Sequence, residues 1–266
     1  MSDDYLTHNR DHWNKATEAH FTSDFYDVDA WLAGEESLRE PELHMLPTEL
    51  SGKRLLHLQC HFGMDTLSLA RRGAEVTGVD LSDRAVARAS ELAERAELSG
   101  RFVCSDVYEA PNNLAEPESF DVVFSSFGAI GWLPDLDRWA EVIHHYLEPG
   151  GVFVFAEFHP VVWMLDVKHE FFEYSYFKRD AIVEQNEGSY TDGSEKLTST
   201  EVSWNHALDE VITALLDKGM TLEAFREYDY SPWNCFQDTV EVGKNRYQFR
   251  GKEGMLPLCY ALRARK

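Results

Sequence analysis

Between Arg54 and Phe158, short apolar runs alternate with stretches of helical period, and this alternation constrains the fold more than any other feature of the chain. The apolar runs are RLLHLQC, AEVTGVDLS, GRFVCSD, SFDVVFSSF and VFVFAEF. A parallel pair of strands needs a crossover of about a dozen residues or more, whereas an antiparallel pair closes with a short turn. The intervening segments have the length and the pattern of such crossovers. DTLSLARRG reads as a short helix with Gly73 as its stop. DRAVARASELAERAEL follows Ser82, which is placed to cap it. DLDRWAEVIHHYL sets Leu136, Trp139, Ile143 and Leu147 on one helical stripe, and EPGG breaks it before the fifth run. The expected fold is therefore α/β, a doubly wound sheet covered on both faces.

The flanking segments are less regular. Residues 1–50 read as helical in pieces, with Trp13, Phe21, Phe25, Tyr26 and Trp31 set among acids. Residues 160–205 form a long insertion rich in aromatics and poor in helical period, and so long an insertion in a compact domain reads as a lid. Within it, HEFFEYSYF and TSTEVSW are expected as antiparallel strands. HALDEVITALLDKG then reads as a helix, MTLEAFREYDY as a sixth strand and MLPLCYALRARK as the final one, where Pro257 favours a strand start or an edge. The expected organisation is an N-terminal helical cap (1–50), a core (51–159 and 206–266) and a lid over the substrate (160–205).

Composition excludes several functions. The chain of 266 residues carries 47 acidic against 25 basic residues, a formal net charge of −22. Such a surface repels phosphate backbones and has no Lys/Arg cluster for counterion release, so neither nucleic acid nor an anionic membrane is expected as a partner. The same excess of carboxylates suits a salt-rich cytoplasm. No segment approaches the roughly 20 apolar residues of a membrane span, and MSDDYLTHNRDHWNK lacks an apolar leader core, so a cytoplasmic enzyme is expected. Cys60, Cys104, Cys235 and Cys259 are far apart and form no CxxC pair, which speaks against a zinc site or a disulfide framework.

In an open parallel sheet, ligands bind beyond the carboxyl ends of the strands where strand order reverses. The loop from Gln59 to Asp65 follows the first strand there, with helix N–H groups free for a polar ligand. Asp80 ends the second strand, placed to accept from the hydroxyls of a ribose, and Asp106 ends the third, placed to accept from an adenine amino group. Acids at successive strand ends point to an adenosine-containing ligand.

On these residues the sequence resembles the class I S-adenosylmethionine-dependent methyltransferases, over roughly Arg54 to Phe158 and more weakly to the C-terminus. The family opens with a strand, an acid and a GxGxG loop. LLHLQCHFG fits that frame with His57 in place of the acid and Gln59 and His61 in place of two glycines, while Gly63 is kept. VTGVDLS, VCSDVYE, FDVVFSSFGAIGWLPD and LEPGGVFVFAE match the later motifs. The resemblance implies a Rossmann-like seven-stranded sheet with an antiparallel last strand, and S-adenosylmethionine as cofactor with S-adenosylhomocysteine as product. It places the cofactor against Gln59, Cys60, His61 and Gly63, against Asp80 and Leu81, against Asp106 and Val107, and against Ser125, with Trp13 or Phe21 closing over it.

The acceptor is expected to be a small molecule methylated by direct in-line transfer, which asks the protein mainly to align the reactants and exclude water. Trp132, His159, Trp163 and His206 are its candidate contacts, with His159 as the candidate base. Each also has a plainer reading: helix-entry packing for Trp132, local backbone bonding for His159, a cap neighbour for His206. Trp163, Phe171, Phe172, Tyr174 and Tyr176 either enclose the acceptor or fill the lid's own core. His57 and His61 would face together only on a helix, so no metal site is expected, and His57 reads as a buried histidine bonded to a backbone carbonyl. Two rivals remain: a non-catalytic sensor or interaction module that binds the nucleotide, and an NAD-dependent dehydrogenase, whose GxGxxG is absent from LQCHFGMD.

Overall fold

In the computed structural model, which describes residues 4–191 and 198–266, the alternating segment folds as the expected crossovers. The strands are β1 (Arg54–Leu58), β2 (Glu75–Asp80), β3 (Arg101–Cys104), β4 (Phe120–Ser126), β5 (Leu147–Phe158), β6 (Ile182–Glu187), β7 (Thr198–Ser203), β8 (Thr221–Tyr228), β9 (Thr239–Gly243), β10 (Arg246–Phe249) and β11 (Cys259–Arg265). The helices are α1 (Asp4–Phe21), α2 (Val28–Leu32), α3 (Glu40–Met45), α4 (Met64–Arg71), α5 (Asp83–Arg95), α6 (Ala110–Asn113), α7 (Leu136–Tyr146) and α8 (Leu208–Asp217).

Seven strands form one sheet in the order β3-β2-β1-β4-β5-β11-β8. β1 pairs in parallel with both β2 and β4, so the winding reverses between β1 and β4. β11 runs antiparallel to both β5 and β8. Pro257 lies just before β11, which is an interior strand, so the start and not an edge accommodates it. The two faces bury different sets. Leu56, Val123, Phe153 and Phe155 pack with Trp139 and Ile143 of α7, while Leu55, Val122, Phe124 and Val154 pack with Met45 of α3 and Leu69 of α4.

Local chemistry fixes the ends of the helices. Ser82 accepts from the Ala85 N–H at 3.0 Å, the expected cap of α5. Asp135 accepts from the Arg138 N–H at 3.1 Å and starts α7. Gly73 follows the end of α4 with φ of 92°.

The flanks depart from expectation in two places. Residues 169–177 (HEFFEYSYF) form turns with one isolated bridge, Leu165 to Phe172, and no strand. Phe171 and Phe172 are adjacent and exposed, and adjacent rings point to opposite sides of a strand, so no single face here can be buried. TSTEVSW does form β7, paired with β6, a strand the periodicity did not flag. The lid expected over 160–205 includes 192–197, which lie outside the described residues. α1 is one continuous helix that crosses to the lid and to α5. Asn9 donates to the Val202 carbonyl (2.8 Å) and accepts from its N–H (3.0 Å), and Asn14 accepts from the Ser82 hydroxyl (2.6 Å).

Candidate functional site

The loop after β1 holds two non-glycine residues in the left-handed region. Gln59 has φ of 59° and His61 has φ of 50°, in the two places where a glycine was expected, and Gly63 follows at 79°. Such a conformation costs on the order of 1–3 kcal/mol for a residue with a Cβ and persists only where its surroundings impose it. They do so here. The Gln59 amide donates to the Ala129 carbonyl at 2.7 Å, and the His61 N–H donates to Asp80 at 2.8 Å. Gly63 is different: a Cβ there would meet Ala89 Cβ and the Phe102 ring at 2.9 Å. Side chains are tolerated at 59 and 61 because the left-handed turn is braced, and excluded at 63 because α5 and β3 close on it.

Beyond this loop, over the carboxyl ends of β1 to β5, lies a cavity of about 640 Å³. Asp80 enters it from the end of β2. Its carboxylate accepts from the His61 and Ser82 N–H groups (2.8 and 2.9 Å), and burial outweighs these bonds to raise its pKa to about 6. Asp106 enters from the end of β3, accepting from the Tyr108 N–H at 2.9 Å, with its pKa also raised by burial. Between them and the loop, Gln59 Oε1 and His61 Nδ1 are buried and make no hydrogen bond among the described residues. A ligand with ribose-type hydroxyls at one end and polar donors and acceptors at the other fits these groups.

Residues 55–151 match a family described as a methyltransferase domain. Over these residues the chain is similar to a methyltransferase domain. The chain also resembles an uncharacterized protein of Haemophilus influenzae, 37% identical over 131 residues, which cover 47% of this chain and 50% of that protein. A ubiquinone biosynthesis O-methyltransferase of Coxiella burnetii is 29% identical over 40% of this chain and 44% of its own. The chain thus aligns with only about half the length of these relatives, as the 50% and 44% shares show. Two solved structures share its fold. An S-adenosylmethionine-dependent methyltransferase from Mesorhizobium loti has a TM-score of 0.56 at 22% identity, covering 84% of this chain and 95% of that one. One from Clostridium acetobutylicum has a TM-score of 0.58 at 13% identity, covering 95% and 98%.

Around this cavity the structure brings together Gln59, Cys60, His61, Gly63, Asp80, Leu81, Asp106, Val107 and Trp13, with Trp132 and Trp163 from the candidate acceptor contacts. Ser125 is not among its walls. It lies on the opposite face of β4 from Ser126, which does reach the cavity, and is wholly buried. Phe21 also lies outside, edge-on to Phe62.

Two candidate histidines are corrected. His159 lies outside the cavity walls: its Nε2 donates to Glu227 at 3.1 Å and its Nδ1 accepts from the Val161 N–H at 3.2 Å. Both nitrogens are engaged and the ring lies edge-on to Tyr260, so it is held by β8 and β11 and does not line the cavity. His206 is wholly buried where its Nε2 donates to the Leu133 carbonyl at 2.8 Å, a structural tie between α8 and the loop after β4. Of the five candidate aromatics of 160–205, Trp163 reaches the cavity, and so does Tyr190 from the same segment. Tyr174 bonds Glu184, the Tyr176 hydroxyl accepts from the Leu208 N–H, and Phe171 and Phe172 face solvent. His57 is buried as expected but bonds a different partner: its Nδ1 lies 2.8 Å from the Thr66 hydroxyl, not a backbone carbonyl.

Two residues that brace the cavity from behind its walls escaped the sequence reading. His20, at the end of α1, shares a 3.1 Å hydrogen bond with His61 and a 2.6 Å one with Ser189. Burial lowers the pKa of His20 to about 3 and that of His61 well below the usual value, so both rings are neutral. Glu157, near the end of β5, accepts from the N–H groups of Gly128, Ala129, Ile130 and Phe158 and so shapes the loop after β4. Its signal was a lone acid inside the apolar run VFVFAEF. His20 had none, since its neighbours come from residues 41 and 169 positions away.

Proposed function

We propose that this chain is a methyltransferase that binds S-adenosylmethionine and transfers its methyl group to a small-molecule acceptor, releasing S-adenosylhomocysteine. The observation that carries the reading is the pair of carboxylates, Asp80 and Asp106, at successive strand ends facing one cavity with the braced left-handed loop. Asp80 holds the ribose hydroxyls and Asp106 the adenine side, with the Val107 backbone beside it. Gln59 Oε1 and His61 Nδ1 supply polar contacts to the amino-acid end. The cofactor brings a methyl group on a positively charged sulfur, an electrophile that needs no covalent help from the protein. What the chain supplies is alignment and dryness. Trp13 and Trp132 pack edge-on at 5.2 Å over the cavity, and His12 stacks on Trp132 at 5.5 Å, so α1 closes the site from above. An aromatic face beside a sulfonium also contributes cation–π attraction.

The test is isothermal titration with S-adenosylmethionine and S-adenosylhomocysteine, followed by product detection against amines, phenols, thiols and carboxylates. Micromolar binding of both compounds with turnover of one acceptor class is expected. Absence of binding refutes the reading, and binding without turnover of any class makes the protein a sensor.

A further inference from the structure

The order of the sheet divides the cavity. Asp80 and Asp106 stand over the β2–β3 half, while Ser126 and Phe127 at the end of β4 and Phe158 at the end of β5 stand over the other. This second half has aromatic walls. Phe127 meets Trp233 edge-on at 4.5 Å, and Phe158 meets Phe236 at 5.1 Å and Trp163 at 5.7 Å. It is also acidic. With Asp80 and Asp106 set aside for the cofactor, six carboxylates remain on the described walls, against one cation, Arg39. Most of the six are engaged: Glu36 pairs with Arg72, Glu184 accepts from Tyr174, Glu201 lies 3.4 Å from His12, and Asp27 caps α2. Asp65 stands apart. It sits in the first turn of α4, bonded to Ser37, with no ion pair among the described residues.

We propose that this half is the acceptor pocket and that it takes an amine that arrives as a cation on a flat apolar body, with Asp65 as its counter-charge. This rests on the reading of the site given above. A neutral phenol or an anion gains nothing from a pocket whose fixed charges are negative, and an anion is repelled. A cation gains from the carboxylates and from the ring faces, and Arg39 already lies over the Trp233 ring at 5.8 Å.

A second polar group belongs to the cavity wall. His57 is 3% exposed, lines the cavity, and has an Nε2 with no partner among the described residues. Its Nδ1 is held by Thr66, the neighbour of Asp65, so Nε2 and the carboxylate belong to one strand–helix junction. An ammonium has several N–H donors to place and finds two anchors there. It has no lone pair, so before it can react one N–H proton passes to the Asp65 carboxylate, leaving a neutral amine and a neutral acid. Burial raises the affinity of Asp65 for that proton, and loss to water restores the carboxylate.

The test compares three near-isosteric probes on protein saturated with S-adenosylhomocysteine: 2-phenylethylamine, 2-phenylethanol and 3-phenylpropanoate. Titration calorimetry is expected to show the amine binding at least about tenfold tighter than the alcohol, with the carboxylate weakest. In Asp65→Asn, the amine is expected to lose about tenfold while the alcohol is unchanged. Alcohol or carboxylate binding as tightly as the amine overturns the proposal, as does failure of the amine to bind at millimolar concentration. So does an amine preference that survives in Asp65→Asn. The comparison on the unmodified protein decides even where the variant fails to fold. Failure of S-adenosylhomocysteine to bind in the loading step refutes the methyltransferase reading instead, so the two failures are distinct.

Discussion

Replacing Glu157 by Gln changes one oxygen into an NH2 group and nothing else in outline, yet it strikes the element that shapes the cavity floor. One carboxylate oxygen accepts from Gly128 (2.6 Å) and Phe158 (2.8 Å), the other from Ala129 (2.8 Å) and Ile130 (3.3 Å). All four partners are N–H donors, so the site demands an acceptor at both positions. Whichever way the amide is turned, two N–H groups lose their acceptor and face a donor. A buried donor left without a partner costs about 1–3 kcal/mol, so the substitution is expected to destabilise the fold by about 3–5 kcal/mol. For a chain of this size each kcal/mol shifts the midpoint by about 2–4 °C, which gives a fall in Tm of roughly 6–20 °C. The loop also carries Ala129, whose carbonyl holds the Gln59 amide, and Trp132. S-adenosylhomocysteine affinity is therefore expected to fall along with stability. Thermal unfolding by circular dichroism and titration calorimetry read the two effects. A Tm loss under about 2 °C with unchanged affinity refutes the claim that this carboxylate organises the loop.

Asp80→Asn is expected to weaken S-adenosylhomocysteine binding about 10- to 100-fold in a calorimetric titration, since a neutral amide accepts less strongly from hydroxyls; a change under twofold removes Asp80 from the site. His61→Gly keeps the left-handed backbone while deleting the ring, so it isolates the side chain: affinity is expected to fall about tenfold, equivalent to about 1.4 kcal/mol, and unchanged affinity makes the ring a bystander. The buried histidines give a pH signature. Burial lowers the pKa of His20 to about 3 and, with Lys15 adding, that of His12 to about 4, both from 6.5. Their stabilisation is complete above pH 6.5 and is lost as pH falls, because the unfolded chain then binds protons the folded one refuses. At pH 5 the loss is about 2 kcal/mol for each ring. The buried carboxylates with raised pKa act in the opposite sense, so the histidine share is read by urea unfolding of His20→Gln against the unmodified protein. Equal pH slopes for the two refute the assignment.

The sheet was legible because its signals are local: each apolar run and each crossover helix is written in consecutive residues, and Ser82, Asp80 and Asp106 sit at strand and helix ends that the pattern marks. The glycine-poor loop was legible by position, but what makes it workable, the bonds from Gln59 to Ala129 and from His61 to Asp80, joins distant segments. His159 misled because adjacency to a strand end fixes where the backbone goes and leaves open which way the ring turns; Glu227, which claims it, is 68 positions away. The lid was the least legible part. β6 has no apolar face to announce it, and Val183 is exposed.

The cavity's roof is tied down almost wholly through side chains: the Asn9 amide on Val202, His12 on Ser199, His20 on His61 and Ser189, Tyr26 on Tyr190. β6 and β7 pair only with each other and share no ladder with the seven-stranded sheet. Raising the roof therefore ruptures a handful of exchangeable contacts and leaves every main-sheet rung intact. Ligand traffic and global unfolding are thus expected to be separate events with separate barriers. Hydrogen exchange can time the first in α1 and β7 while the amides of β1, β4 and β5 stay locked.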